Sequence, residues 1–277
     1  MSARDPELPG CVFVTGASSG IGRAVALHLA RCGVNLIVSA RRRGPLADVA
    51  AECEAQGVQA APLAFDLCDP QQIDQAAAHL TQLEERLGPC EGLVNNAGAV
   101  VVHAAHESVG EADEDLYRSQ LEVNFHGPRR LTERLLPGML QRGRGAIVNV
   151  SSAAGLRPFP GIGAYSTAKH ALIGWTRALA FELPGAGIRA AALCPYYVEG
   201  EMLDRAVESH AIATGVTTAV AEAEFAGRNP GGALVTLEQT SQAIETLLRP
   251  GANGRITVLD GGPLREWDAV RDCVDGG

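Results

Sequence analysis

Tyr165 and Lys169, in the stretch Ala164-Tyr-Ser-Thr-Ala-Lys169, are four residues apart and share one face of any helix that contains them. A free phenol titrates near pH ~10, too high for efficient proton exchange at neutral pH. One cation ~4–5 Å away, at an effective dielectric near ~20, favours the phenolate by roughly 3–4 kcal/mol, or about 2–3 pH units. Burial opposes this by disfavouring the anion, so the figure is an upper bound. The spacing predicts a phenol tuned downward for acid–base work. Tyrosine and lysine at this spacing also occur on solvated helix faces without chemical role, and the rest of the chain must discriminate.

A second chemical feature lies near the start. Thr15-Gly-Ala-Ser-Ser-Gly-Ile-Gly22 follows an apolar strand and leads at once into helical Arg23-Ala-Val-Ala-Leu-His-Leu-Ala. Such a turn aims backbone N–H groups and a positive helix end at a pyrophosphate, and glycines are needed because side chains would block close approach. Gly16, Ser18, Ser19, Gly20, Ile21 and Gly22 are the candidate contacts; their spacing, Gly-x-x-x-Gly-x-Gly, differs from the commoner Gly-x-Gly-x-x-Gly. The second strand ends Val38-Ser-Ala-Arg41-Arg42-Arg43, without the carboxylate that accepts from an NAD ribose. Arg41 first, and Arg42 second, can grip a 2′-phosphate, so NADP(H) is favoured and NAD(H) is the alternative. The bland reading is that these arginines only solvate a loop.

The elements that position these groups alternate. Candidate strands Cys11–Thr15, Asn35–Ser39, Ala60–Phe65, Gly92–Asn95, Ala146–Val150, Ile188–Leu193 and Arg255–Leu259 are separated by helical stretches, the pattern of an α/β fold with a doubly wound parallel sheet. Asp69-Pro70-Gln-Gln marks one helix start. Residues 1–9 read as a loose leader, 10–262 as one domain, about 195–230 as a binding loop or lid, and 263–277 as a tail of unassigned role. Of 277 residues, 46% are hydrophobic and the mean hydropathy is +0.05, as for a soluble globular chain. A net charge of −9 argues against nucleic acid or an anionic membrane as partner. No apolar run spans a bilayer and the start lacks a signal-peptide core. The seven cysteines (11, 32, 53, 68, 90, 194, 273) include no Cys-x-x-Cys, which fits a reducing cytoplasm. His103 and His106, three apart, have no accompanying ligands in a recognisable pattern, and no metal site is predicted.

Further motifs fall between: Asp66-Leu67, Asn95-Asn-Ala-Gly98, Val123-Asn124-Phe-His-Gly127 and Ile147-Val-Asn-Val-Ser-Ser152. With Thr15–Gly22 and Tyr165–Lys169 they resemble, in order and spacing over roughly residues 10–262, the short-chain dehydrogenase/reductase family. The resemblance implies a Rossmann-like sheet of about seven strands and a ketone/alcohol oxidoreductase that assembles as a homodimer or homotetramer. It implies that Tyr165 exchanges a proton with the substrate oxygen and that Ser152, thirteen positions earlier, hydrogen-bonds that oxygen. Lys169 would lower the tyrosine pKa and hold the nicotinamide ribose, and Asn124 would fix a water leading from lysine to solvent. Asp66 would meet the adenine amino group and Asn96 would sit by the adenine ribose, with Leu67, Ala97, Gly98 and Pro195 also among the cofactor contacts. Asn95 and Ser151 read as structural. Where members carry Pro-Gly and then Thr against the carboxamide, this chain reads Pro195-Tyr196-Tyr197-Val198-Glu199-Gly200. Val198 backbone can still serve the carboxamide, and Tyr196 would narrow or wall the substrate pocket.

The pocket positions implied by the resemblance are Val100, Ala154, Leu156, Tyr196, Tyr197, Met202 and Leu203, and most are apolar. The lid resembles that of 3-hydroxybutyrate dehydrogenases, yet Val100, Ala154 and Ile162 stand where that group has glutamine, histidine and lysine. No Arg or Lys cluster awaits an anion, so a largely apolar small ketone or alcohol is expected. The alternatives are a 3-hydroxybutyrate-dehydrogenase-like or 3-oxoacyl reductase activity, a non-catalytic dinucleotide-sensing regulator, and a structural or partner-binding role.

Overall fold

Along β1 (Cys11–Thr15) successive side chains point to opposite faces, and both faces are buried: Val12 and Val14 enter one core, Cys11 and Phe13 the other. In β2 (Asn35–Ala40), Leu36 and Val38 divide from Ile37 in the same way. A sheet apolar on both faces must carry helices on both faces.

The computed structural model describes residues 5–102 and 114–267. The remaining strands are β3 (Ala60–Ala64), β4 (Cys90–Asn95), β5 (Gly145–Val150), β6 (Ile188–Pro195), β7 (Ile256–Leu259) and β8 (Arg265–Glu266). They form one sheet in the order β3-β2-β1-β4-β5-β6-β7-β8, parallel throughout except β8, which runs antiparallel to β7. The sheet has eight strands rather than about seven, because the first residues of the tail turn back onto β7. Pro62 is tolerated inside β3 because that strand is the sheet edge.

The helices are α1 (Gly20–Arg31), α2 (Arg43–Glu54), α3 (Pro70–Leu87), α4 (Glu114–Leu121), α5 (Gly127–Arg142), α6 (Gly163–Glu182), α7 (Glu201–Thr214), α8 (Thr218–Arg228) and α9 (Leu237–Leu248). Val25, Leu29, Leu46, Val49, Ile244 and Leu247 bind α1, α2 and α9 to one face. Ile73, Leu131, Leu135, Met139 and Leu179 bind α3, α5 and α6 to the other. At the start of α3, Asp69 Oδ1 accepts from Gln71 N at 2.9 Å and Gln72 N at 3.3 Å, while the Gln72 amide returns to Asp69 Oδ2 at 2.8 Å. Between α4 and α5, residues Glu122–His126 form a π-helical turn, the wider winding that often marks functional positions.

The stretch read as a loose leader is docked from Asp5 onward. Leu8 is fully buried, and Asp5 and Glu7 pair with Arg249 at 2.7 and 3.1 Å. Leu203, Val207, Ala211, Ala221 and Phe225 give α7 and α8 a small core of their own. Among the described residues no helix is long and apolar enough to cross a membrane. The strand order reverses between β1 and β4, and the crevice opened there at the carboxyl ends is where ligands of such sheets bind.

Candidate active site

At the end of β1 the chain turns through Gly16 (φ 68°) and Gly20 (φ 52°), both in the left-handed region. A methyl at Gly22 would stand 2.3 Å from the Gly16 carbonyl oxygen; one at Gly16 would stand 2.9 Å from Ala97 Cα. Thr15 fixes this turn to the end of β4. Its buried hydroxyl donates to Val94 O and accepts from Asn96 N and Ala97 N, both at 3.0 Å. Asn96 Nδ2 donates to Thr15 O at 2.9 Å, so this amide braces the glycine turn rather than standing free at its rim. Ser19 caps α1 with extended backbone and no side-chain hydrogen bond, and Ser18, Ser19, Gly20 and Ile21 all keep solvent access. Backbone donors at a positive helix end, with nothing within 4 Å of a methyl at Gly20, fit a pyrophosphate.

Arg41 and Arg42 lie exposed beyond β2, and neither has an ion pair among the described residues. Across the crevice Asp66 Oδ1 accepts from Cys68 N at 2.9 Å, while Leu67 is buried in the core. Leu67 therefore reaches a ligand only through its backbone.

The residues expected to handle the proton come from three elements. Ser152 caps the short turn Ala153–Gly155 after β5, its Oγ accepting from Ala154 N at 3.1 Å. Tyr165 and Lys169 lie on α6, as their spacing predicts. Asn124, fully buried in the π turn, donates to Ala99 O at 2.8 Å and Gln120 O at 3.0 Å, and accepts from Ala99 N at 3.2 Å. A methyl on Gly98 would meet both Asn124 Oδ1, at 2.7 Å, and Lys169 Nζ, at 3.4 Å. Gly98 is thus the point where the π turn, the β4 end and α6 converge.

The electrostatics differ from the expectation. Lys169 Nζ donates to Val150 O at 2.9 Å and lies 5.6 Å from the centre of the Tyr165 ring. Burial pushes the Tyr165 phenol up to about 12, against the opposing pull of its hydrogen bond with Ser152. Burial also takes Lys169 down to about 8. The ammonium is buried and anchored to a carbonyl rather than turned to the phenol oxygen, while the Tyr165 side chain is only half-buried. This direction is opposite to the lowering expected from the spacing.

Asn95 and Ser151 hold the framework. Asn95 Nδ2 donates to Asn149 Oδ1 at 2.8 Å and Thr132 Oγ1 at 3.0 Å, and Ser151 Oγ donates to Lys169 O at 3.1 Å.

Pro195 ends β6. The next residues bridge to Val235, with Glu199 N donating to Val235 O and Val235 N to Tyr197 O, both at 3.0 Å. This parallel bridge uses the groups on either side of Val198 and leaves the N–H and C=O of Val198 out. The residues expected to line one substrate pocket divide. Tyr197 stacks edge-on to Phe225 at 5.0 Å and, with Leu203, belongs to the core of the lid. Leu156 and Tyr196 pack against the Ile173 cluster, Ala154 is buried in its turn, Val100 is half-buried and Met202 is 55% exposed.

Several contributors are not evident from motifs. Gln120 accepts from Asn124 Nδ2 through its carbonyl oxygen at 3.0 Å and its side-chain oxygen at 3.3 Å, and Asn229, buried, joins Tyr197 to Ala233 at the lid base. The Asn229-Pro230 pair is a turn signal that draws the eye to it. Arg157 and Phe159 approach Tyr196 from the loop before α6. Elsewhere, ligand-type atoms of His28, Cys32 and Glu245 lie within 4.8 Å of one another. Glu245 is engaged by His28 at 2.7 Å and Arg249 at 2.6 Å, so the group is an ion network joining α1, α9 and the N-terminal stretch. His103, His106 and Cys273 lie outside the described residues.

A glycine turn at a strand–helix junction, with buried Lys169 and Asn124 and half-buried Ser152 and Tyr165 across the reversal point of a parallel sheet, defines a dinucleotide-binding α/β protein. The family model described as short chain dehydrogenase matches residues 10–211, and the chain belongs to that family. It is 33% identical over 254 residues to a Streptomyces coelicolor protein whose given name proposes ketoacyl reduction, covering 91% of this chain and 94% of that one. Among solved structures it is similar to an actinorhodin polyketide ketoreductase variant with NADPH (32% identity, TM-score 0.83, 91% of this chain and 96% of that one). It is also similar to L-sorbose reductase from Gluconobacter frateurii with NADPH and L-sorbose (25% identity, TM-score 0.84, 92% and 97%).

Proposed function

We propose that the protein is an NADP(H)-dependent oxidoreductase that interconverts a ketone and a secondary alcohol. The observation that carries this is the convergence of Ser152, Tyr165, Lys169 and Asn124 beside a glycine turn that a single methyl would block. Exposed Arg41 and Arg42, and the NADPH in both similar structures, favour NADP(H) over NAD(H). When bound, the nicotinamide supplies or accepts the hydride. The glycine turn and the α1 N-terminus would hold the pyrophosphate, Asp66 would border the adenine, and the backbone groups of Val198 would meet the carboxamide.

Tyr165 delivers its proton to the carbonyl oxygen, which Ser152 Oγ steadies as charge develops. Lys169, protonated below about pH 8, together with Asn124 returns a proton to the phenol. A phenol held near 12 keeps its proton at neutral pH, so the site rests in the form that reduces ketones. The oxidation direction needs the phenolate, and its rate rises with pH through the alkaline range. The pocket side is mostly apolar, which suits a substrate of largely hydrocarbon character. A second reading, 3-oxoacyl reduction, is favoured by the likeness to a named ketoacyl reductase. The homodimer or homotetramer implied by the resemblance is checked by light scattering.

A spectrophotometric screen of NADPH and NADH against ketones and secondary alcohols tests the reading. Tyr165→Phe should lower kcat by about 10²–10⁴ with the fold intact. Retained activity in that variant removes the mechanism, and a clear maximum on acetoacetate removes the apolar substrate class.

A further inference from the structure

Tyr196 stands at the catalytic end of the sheet. β5 and β6 are in register at Val150 and Leu193, and Ser151 N donates to Leu193 O at 2.7 Å, so Ser152 comes level with the Pro195-Tyr196 tip. Tyr196 N is fixed to Leu259 O at 2.8 Å. Its side chain leans toward the loop between Ser152 and Tyr165. There Phe159 meets its ring edge-on at 6.1 Å, and Arg157 donates to its hydroxyl at 3.4 Å. The same guanidinium lies 5.9 Å from the centre of the Phe159 ring.

Arg157 is exposed, and no carboxylate is within ion-pair reach of it among the described residues. Two aromatic rings hold its direction, yet among the described residues no carboxylate answers its charge. Several other arginines among the described residues, including Arg23, Arg129, Arg130, Arg134 and Arg249, are paired with carboxylates, whereas Arg41 and Arg42 at the cofactor side, like Arg157, are not. A planar fork whose side chain is braced but whose charge is unanswered suits an oxyanion from outside the chain. Sequence reading passed over Arg157 because no other cation stands near it along the chain.

We propose that Arg157, braced by Phe159 and Tyr196, is an anion subsite that takes a carboxylate or phosphate oxygen group at the far end of the substrate. The inference rests on the reductase reading and narrows its substrate class to an apolar body with one distal anion. That anion is either the substrate's own carboxylate or the phosphate of a thioester carrier. Arg157 touches the substrate's charged end, and Tyr196 is a positioning residue acting through it.

The test compares matched pairs with NADPH: medium-chain keto acids bearing a terminal carboxylate against their methyl esters, and 3-oxobutanoyl phosphopantetheine against the neutral N-acetylcysteamine thioester. The wild type should prefer the anionic member of at least one pair tenfold or more in kcat/KM, mainly through KM, and the responding pair identifies the source of the anion. Arg157→Ala should lower that ratio at least tenfold, Arg157→Lys should retain part of it, and Tyr196→Phe should lower it about two- to threefold. Arg31→Ala, a distant exposed charge, should leave the ratio unchanged. No preference in the wild type, or a ratio that Arg157→Ala does not move, overturns the subsite. If the wild type reduces no ketone at all, the reductase reading falls by itself. The subsite is then decided by calorimetry with NADP⁺ present: tighter binding of hexanoate than hexanol, lost in Arg157→Ala, upholds it, and equal binding rejects it.

Discussion

The two sides of the crevice are built by different means. On the cofactor side, glycine, Thr15 and Asn96 bring backbone to backbone at distances that leave no room for one more carbon. On the side beyond Pro195, which we propose faces the substrate, side chains do the shaping: Tyr197 against Phe225, Tyr196 against Phe159, and Arg157 against both Phe159 and Tyr196. Backbone geometry admits few sequences, so the first side carries recognisable motifs. Side-chain packing admits many, so the second side is where specificity is free to change.

The largest break in this contrast should come from Gly22→Ala. Its methyl would meet the Gly16 carbonyl at 2.3 Å, and the turn must open. Overpacking of this kind costs about 1–3 kcal/mol, and the KM for NADPH should rise a hundredfold or more, which thermal melting and steady-state kinetics will read. A methyl at Gly200 meets nothing within 4 Å, and there only the backbone angle, φ 124°, resists a side chain.

Lys169→Met should separate stability from activity. A lysine depressed from about 10.5 to about 8 burdens the folded state while protonated, fully below pH 8 and not at all above the unfolded value. At pH 7 the variant should be more stable by up to about 3 kcal/mol, less what the lost hydrogen bond to Val150 contributed, and should be inactive. Denaturant midpoints at pH 7 and at pH 10 provide the check, with the gain smaller at the higher pH. Tyr165 works in the opposite sense. Its raised pKa leaves stability intact below the unfolded value near 10 and withdraws it as pH climbs toward about 12.

Arg41→Ala sharpens the cofactor side alone. Losing a charged hydrogen bond of roughly 1.5–2 kcal/mol should raise the KM for NADPH about tenfold to thirtyfold and leave that for NADH nearly unchanged. An unchanged NADPH value removes the phosphate assignment.

The smallest effect belongs to the network far from the crevice. Burial alone would raise Glu245, but hydrogen bonds from Arg249 and His28 outweigh it and hold its carboxyl below the usual range. A depressed carboxylate contributes stability above its unfolded pKa and loses it as pH falls through the folded value. Arg249→Ala should therefore cost about 1 kcal/mol at pH 7 and progressively less below about pH 4.5, measured by urea unfolding.

Most of the fold was legible because strand periodicity and the glycine turn are local. The seven parallel strands were read with boundaries off by at most two residues, as with β4, which begins at Cys90, and β6, which extends to Pro195. β8 escaped because two residues make no pattern, and the docking of Asp5 to Pro9 escaped because Arg249 and the cavity for Leu8 lie far along the chain. The placement of Tyr165 and Lys169 on one helix followed from spacing, whereas the direction of the phenol's shift did not. Spacing gives proximity but says nothing of how much water remains.

By itself the chain determined the alternating elements, the glycine turn and the residues available for proton transfer, since each rests on near-neighbour geometry. Tertiary structure alone decided that desolvation pushes the Tyr165 phenol upward, that Asn96 braces a turn, and that Arg157 stands beside Tyr196. Desolvation and long-range contact depend on how strands distant in sequence are laid side by side. No window of sequence contains that arrangement.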